Sequence, residues 1–182
     1  MFWFIYLLFI FLLSNNQQCL CLQYDYYWRD FIDGEVPRDA IVAGQNINNE
    51  NIYIGQVYPK NWGLITAEIF AGVKEVYVPL DGIKKIDKNI KILCGTQQNL
   101  YWMLTNSSSL PSLLVDHIAV TGGYEYAQKG DREGILYIGK LKYNGEYKIG
   151  KIVSFYRPNT FIFNDNMAEI EASSYEVLLL QK

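Results

Sequence analysis

Histidine and cysteine are nearly missing from this chain, which has one histidine, His117, and three cysteines, Cys19, Cys21 and Cys94, in 182 residues. That shortage excludes the chemistries that need such residues in groups. Zinc sites take ligands from clustered His, Cys and carboxylates, whereas here only scattered Asp and Glu occur, so no metal and no cofactor is expected. A nucleophile and base at hydrogen-bond reach are the mark of acid–base or covalent catalysis. His117 stands alone in the apolar segment Leu113 to Val120, and Cys94 has no histidine near it. There is no Gly-rich phosphate loop. Lys and Arg number 16 against 19 Asp and Glu, a net charge of −3, without the basic patch that nucleic acid requires. The expectation is a protein with no catalytic residues, not an enzyme, and without nucleic acid as a partner.

No Lys or Arg precedes Arg29, and Phe2 to Leu13 is an unbroken apolar run followed by the polar Ser14-Asn15-Asn16-Gln17-Gln18. Twelve apolar residues fall short of the roughly 20 that span a bilayer and match the core of a secretory signal. Small residues in Cys19-Leu20-Cys21 place cleavage after Cys21. Residues 1–21 are read as the signal, and the mature chain as secreted, extracellular and free of membrane. Cys94 is then the only cysteine left, so no intrachain disulfide can form. Its place at the end of Lys91-Ile92-Leu93 makes it a buried, inert thiol. A mature chain of this size buries roughly 68–70% of its unfolded surface and needs no covalent staple.

What is abundant is tyrosine, fifteen residues, in short apolar runs parted by Gly, Asn and Asp. These runs read as strands, and no stretch keeps a helical period; Leu113-Leu114-Val115 comes nearest and is too short. The runs also repeat in order. Tyr27-Trp28 returns as Tyr101-Trp102, each Trp nine residues before a proline, Pro37 or Pro111. Ala40 to Gly44 is echoed by Ile118 to Gly122, Ile52-Tyr53-Ile54-Gly55-Gln56-Val57 by Leu136-Tyr137-Ile138-Gly139-Lys140-Leu141, and Ile90 to Leu93 by Tyr175 to Leu178. The fold expected is all-β, two tandem β-repeats related by a pseudo-twofold axis, over residues 22–98 and 99–182. The second copy has the longer loops, among them the charged turn Asp131-Arg132-Glu133. Period-two alternation in the repeated strand places Tyr53 and Tyr137 inward, with the strand half-buried. Trp28 and Trp102 are expected to anchor the core, and Gly55 and Gly139 to mark a close approach of a neighbour.

The pattern Trp28, Gly34-Glu35-Val36-Pro37-Arg38-Asp39-Ala40-Ile41-Val42-Ala43-Gly44 and Ile52-Tyr53-Ile54-Gly55, with Leu136-Tyr137-Ile138-Gly139, Ile149-Gly150-Lys151-Ile152 and Tyr175-Glu176-Val177-Leu178, resembles the DM-9 repeat family of invertebrate proteins over essentially the whole mature chain. The resemblance implies a mannose-type glycan as ligand and a lectin-like role in innate immunity. It also implies an acidic residue and a lysine as sugar contacts. In the second copy these positions are Glu125 and Lys151. In the first they are Asn46 and Glu68, a degenerate site that has lost both charges, so one sugar site per chain is expected.

From the residues alone, Glu125 with Lys151 reads either as a surface ion pair of small energetic weight or as an acceptor–donor pair for sugar hydroxyls. Trp62, in the turn Lys60-Asn61-Trp62-Gly63, reads as a packed loop anchor with sugar stacking as the other role. Asn106-Ser107-Ser108 is an N-glycosylation sequon. The alternatives are a secreted protein-interaction module or a structural extracellular protein with decayed sugar sites, and the sequence leaves room for an oligomer.

Overall fold

The computed structural model describes residues 26–128, 133–155 and 159–181. The signal segment, and Asp131 and Arg132 of the charged turn, lie outside the described residues. The chain is mostly β. Its first half forms β1 (Tyr26–Asp30), β2 (Val42–Gln45), β3 (Asn51–Val57), β4 (Gly63–Phe70), β5 (Val76–Pro79), β6 (Ile83–Ile86) and β7 (Ile90–Gly95). The second half forms β8 (Leu100–Asn106), a short helix α1 (Leu110–Asp116), β9 (Ile118–Ala119), β10 (Thr121–Glu125), β11 (Gly134–Tyr143), β12 (Glu146–Val153), β13 (Thr160–Asp165), β14 (Ala168–Ala172) and β15 (Ser174–Leu180).

Asn and Asp make the turns because they tolerate the left-handed conformation that other side chains resist. Asn144-Gly145 joins β11 to β12 with φ of 50° and 91°, and Tyr143 stands opposite Glu146. That is a type I′ hairpin, whose twist matches the strands it joins. Asn166-Met167 makes the corresponding two-residue turn between β13 and β14, with φ of 48° and 64°. There Met167 occupies a position that favours glycine.

All strands but the β5–β6 hairpin join one ladder, running β1-β7-β3-β4-β10-β11-β12-β13-β14. The two halves are stitched together where β10 pairs with β4, Tyr124 opposite Leu64 and Glu125 opposite Gly63. Several registers occur twice. Trp28 faces Leu93 and Trp102 faces Leu178. Gly55 faces Ala67 on one side and Ile92 on the other, while Gly139 faces Gly150 and Val177. Each of β2 and β10 carries a bulge, after which Gly44 faces Ile52 and Gly123 faces Leu136. By register, then, Gly44 answers to Gly123. The sequence echo set Gly44 against Gly122, one residue away from this pairing; the bulge falls at the same place in both strands and does not account for the difference.

Two expectations about packing need correction. β3 is not half-buried. Ile52 and Ile54 enter one apolar cluster with Leu93, Val120 and Ile138, while Val57 on the opposite face enters another with Ile65, Val78 and Ile92. A strand with a core on both faces loses its alternation: Tyr53 and Tyr137 turn inward, partly buried against their clusters, and Ile54 and Ile138 on the other face are fully buried as well. Burying each such side chain contributes roughly 1.5–3 kcal/mol. The tyrosine at the centre of a core is Tyr175, tilted against Phe161, which in turn stacks on Phe163, in a third cluster. A helix also exists where none was expected. In α1, Pro111 supplies a preset φ in the first turn, Leu113 N–H donates to Ser109 O at 3.0 Å, and Leu110 is fully buried.

The glycines behave as expected. A Cβ on Gly55 would lie 2.7 Å from Ile69 Cγ1, and one on Gly139 would overlap the Phe161 ring. Trp28 and Trp102 are partly buried, both against the cluster that holds Ile54.

Candidate functional site

Glu125 ends β10, held between Gly63 of β4 and Gly134 of β11. Lys151 lies in β12, opposite Ile138 and Ile162. Although 26 residues separate them, Lys151 Nζ donates to Glu125 Oε2 at 2.6 Å. The lysine side chain is 3% exposed and the carboxylate side chain 16%. This is therefore not the solvated surface pair considered from sequence. Removing either partner strands a buried charge, which costs far more than losing an exposed pair. Around the carboxylate, Tyr126 N–H donates to Trp62 O at 3.0 Å, Gln128 Nε2 donates to Asn61 O at 2.7 Å, and the Tyr124 and Tyr126 rings lie 6.0 Å apart. Trp62 is partly buried against the core, with Lys84 Nζ 5.2 Å from its ring centroid.

The matching positions of the first half face other partners. Asn46 closes its own turn, where its Oδ1 accepts from the Asn48 and Glu50 N–H groups and its Nδ2 donates to Glu50 Oε2 at 2.7 Å. Glu68, opposite Ile54, instead accepts from Ile149 N–H at 2.5 Å. Burial pushes the Glu68 carboxyl up to about 8, against the opposing pull of that N–H and of Lys148. Lys148 itself bridges Glu146 at 2.6 Å and Asp165 at 3.0 Å. Burial disfavours its ammonium, but the hydrogen bonds it donates to Glu146 and Asp165 outweigh this and raise its pKa. This partly buried group of one lysine and three carboxylates was not foreseen. Its only sequence signal was the acidic residue at 68 where the second copy has lysine.

Lys140 was also missed. It is 7% exposed, 4.4 Å from the Trp102 ring centroid and 4.8 Å from that of Tyr147, with Glu176 Oε2 at 3.3 Å. Burial lowers its pKa, opposed by Glu176.

The remaining candidates sit apart. Asn106 is exposed, and its Oδ1 accepts from the Ser108 and Ser109 N–H groups and the Ser108 hydroxyl, so the sequon forms a turn. His117 Nδ1 lies 2.8 Å from Tyr101 Oη. Cys94 is fully buried and free, with burial pushing its thiol up to about 11.

No family model matches the chain, and no curated protein matches it. Among solved structures, the nematode sperm cell motility protein MFP2B is similar in fold, with a TM-score of 0.56 at 12% identity over 86% of this chain. This chain spans about half of that one, 47% of its length. At that identity the likeness is one of fold alone.

Proposed function

We propose that this chain is a secreted, non-catalytic, lectin-like protein of two DM-9-like β-repeats, with one site for a mannose-type glycan at Glu125 and Lys151. The observation that carries this reading is their convergence, a buried lysine holding one oxygen of a carboxylate that reaches the surface. A carboxylate so fixed keeps its second oxygen to accept from adjacent sugar hydroxyls, and charge-assisted bonds of this kind are the strong ones. The lysine neutralises and orients it. The doubled registers of Trp28 and Trp102, and of Gly55 and Gly139, support the two-copy reading. In the first copy, Asn46 is spent on its own turn and Glu68 on the Ile149 N–H, which supports a single site per chain.

The test is a glycan array on the purified protein beside Glu125→Gln. Binding confined to mannose-type glycans and lost in the variant supports the lectin. An array without binding leaves the protein-interaction or structural reading in its place.

A further inference from the structure

A cavity of about 470 Å³ opens at the seam of the two halves, on the other face of β10 from Glu125. Its walls include Tyr26, Trp28 and Tyr124, with Leu64 and Ile135 flanking Tyr124 on the adjacent strands and Gln56 at its back. Among the described residues, no charged side chain lines it. Its size falls within the range of small-molecule sites, roughly 300–1,000 Å³, which are mostly apolar with a few polar groups.

The other half of the molecule shows what fills the equivalent space. Trp28 opposite Leu93 is matched in register by Trp102 opposite Leu178, and Gln56 opposite Lys91 by Lys140 opposite Glu176. Leu64 lies four residues before Glu68, which faces Ile54; Tyr147 lies four before Lys151, which faces Ile138. At that matched place the Tyr147 ring lies against Gly44, where a Cβ would come within 2.8 Å of it, and the Lys140 ammonium caps both Tyr147 and Trp102. One place on the seam thus seats the second half's Tyr147 ring on Gly44 of the first half, beside Trp102. The matched place keeps the tryptophan, Trp28, and a glycine, Gly123 of the second half, but has Leu64 in place of the ring and an uncharged Gln56 in place of the lysine.

We propose that the Trp28 cavity is a second ligand site, for a small neutral molecule carrying an aromatic ring. The ring takes the place of Tyr147, offset or edge-on against Trp28, Tyr26 and Tyr124, the arrangements aromatic pairs prefer. A charged ligand gains nothing from the described residues of the lining, which hold no counter-charge. The inference uses these registers alone and is independent of the sugar site.

The test titrates the purified protein with p-cresol and, separately, with methyl α-mannoside, following the indole N–H resonances by NMR. Saturable p-cresol binding that moves the Trp28 signal is expected, with no response of that signal to the mannoside. Leu64→Tyr, which restores the plug of the other half, should weaken p-cresol binding at least tenfold. Ile135→Trp, at an exposed position on the facing wall, should do the same if the first variant folds poorly. Glu125→Gln should leave p-cresol affinity unchanged, which separates this site from the lectin reading. Absence of a saturable shift at Trp28, full affinity in a folded plugged variant, or mannoside occupying the same cavity would each overturn the proposal.

Discussion

Replacing Glu68 with glutamine removes a carboxylate whose pKa burial has raised from an ordinary 4.5 to about 8. The folded state therefore holds this proton over a pH range in which the unfolded chain has released it. Stability is greatest below about 4.5, falls as pH rises, and levels off above about 8. The full difference corresponds to roughly 4–5 kcal/mol at 1.36 kcal/mol per pH unit. Glu68 keeps some exposure and has Lys148 nearby, so relaxation reduces the expected effect to about 2–4 kcal/mol. Glutamine is nearly isosteric, and its carbonyl can accept the same Ile149 N–H. The parent and Glu68→Gln should then match in urea unfolding at pH 4.5, with the variant more stable by about 2–4 kcal/mol at pH 8.5. Comparing the two proteins cancels the titration of every distant group. A difference that stays constant between these pH values, or a variant less stable at pH 8.5, would refute the reasoning.

Two further outcomes follow from single residues. Met167→Gly should raise stability by about 1 kcal/mol, because glycine relieves the left-handed strain of the Asn166-Met167 turn and the methionine, 59% exposed, buries little; an unchanged melting temperature would contradict the strain argument. Cys94 should resist a thiol reagent in the native state and react once unfolded, since the thiolate it needs is disfavoured by burial; rapid native labelling would contradict its placement.

The strands were legible wherever β-branched residues ran between Gly and Asn turns, as in Ile52 to Val57 and Leu136 to Leu141. The buried state of Cys94 was legible too, from its place at the end of an apolar strand. The second buried face of β3, carrying Ile52 and Ile54, was not, since period-two reading assumes one wet face and β3 has a core on both. The helix Leu110–Asp116 escaped because seven residues make barely two turns, too few for a 3.6-residue period to emerge. Glu125 and Lys151 could be named only through a resemblance. Nothing local in either segment says that β12 turns its lysine toward the end of β10, which depends on the pairing of three strands. The cluster around Lys148 was hidden for the same reason, its members coming from β4, β12 and β13.

The central claim is a single sugar site made by the second half of the chain. Calorimetric titration of the purified protein with methyl α-mannoside tests it most directly, in parallel with Glu125→Gln, Lys151→Ala and Asn46→Ala. A hydrogen bond to a charged group contributes about 1.5–3 kcal/mol, comparable to the whole margin of a weak monosaccharide site. The account predicts one site per chain, with heat lost in both second-half variants and retained in Asn46→Ala. Two equivalent sites, or binding that survives Glu125→Gln, would contradict it.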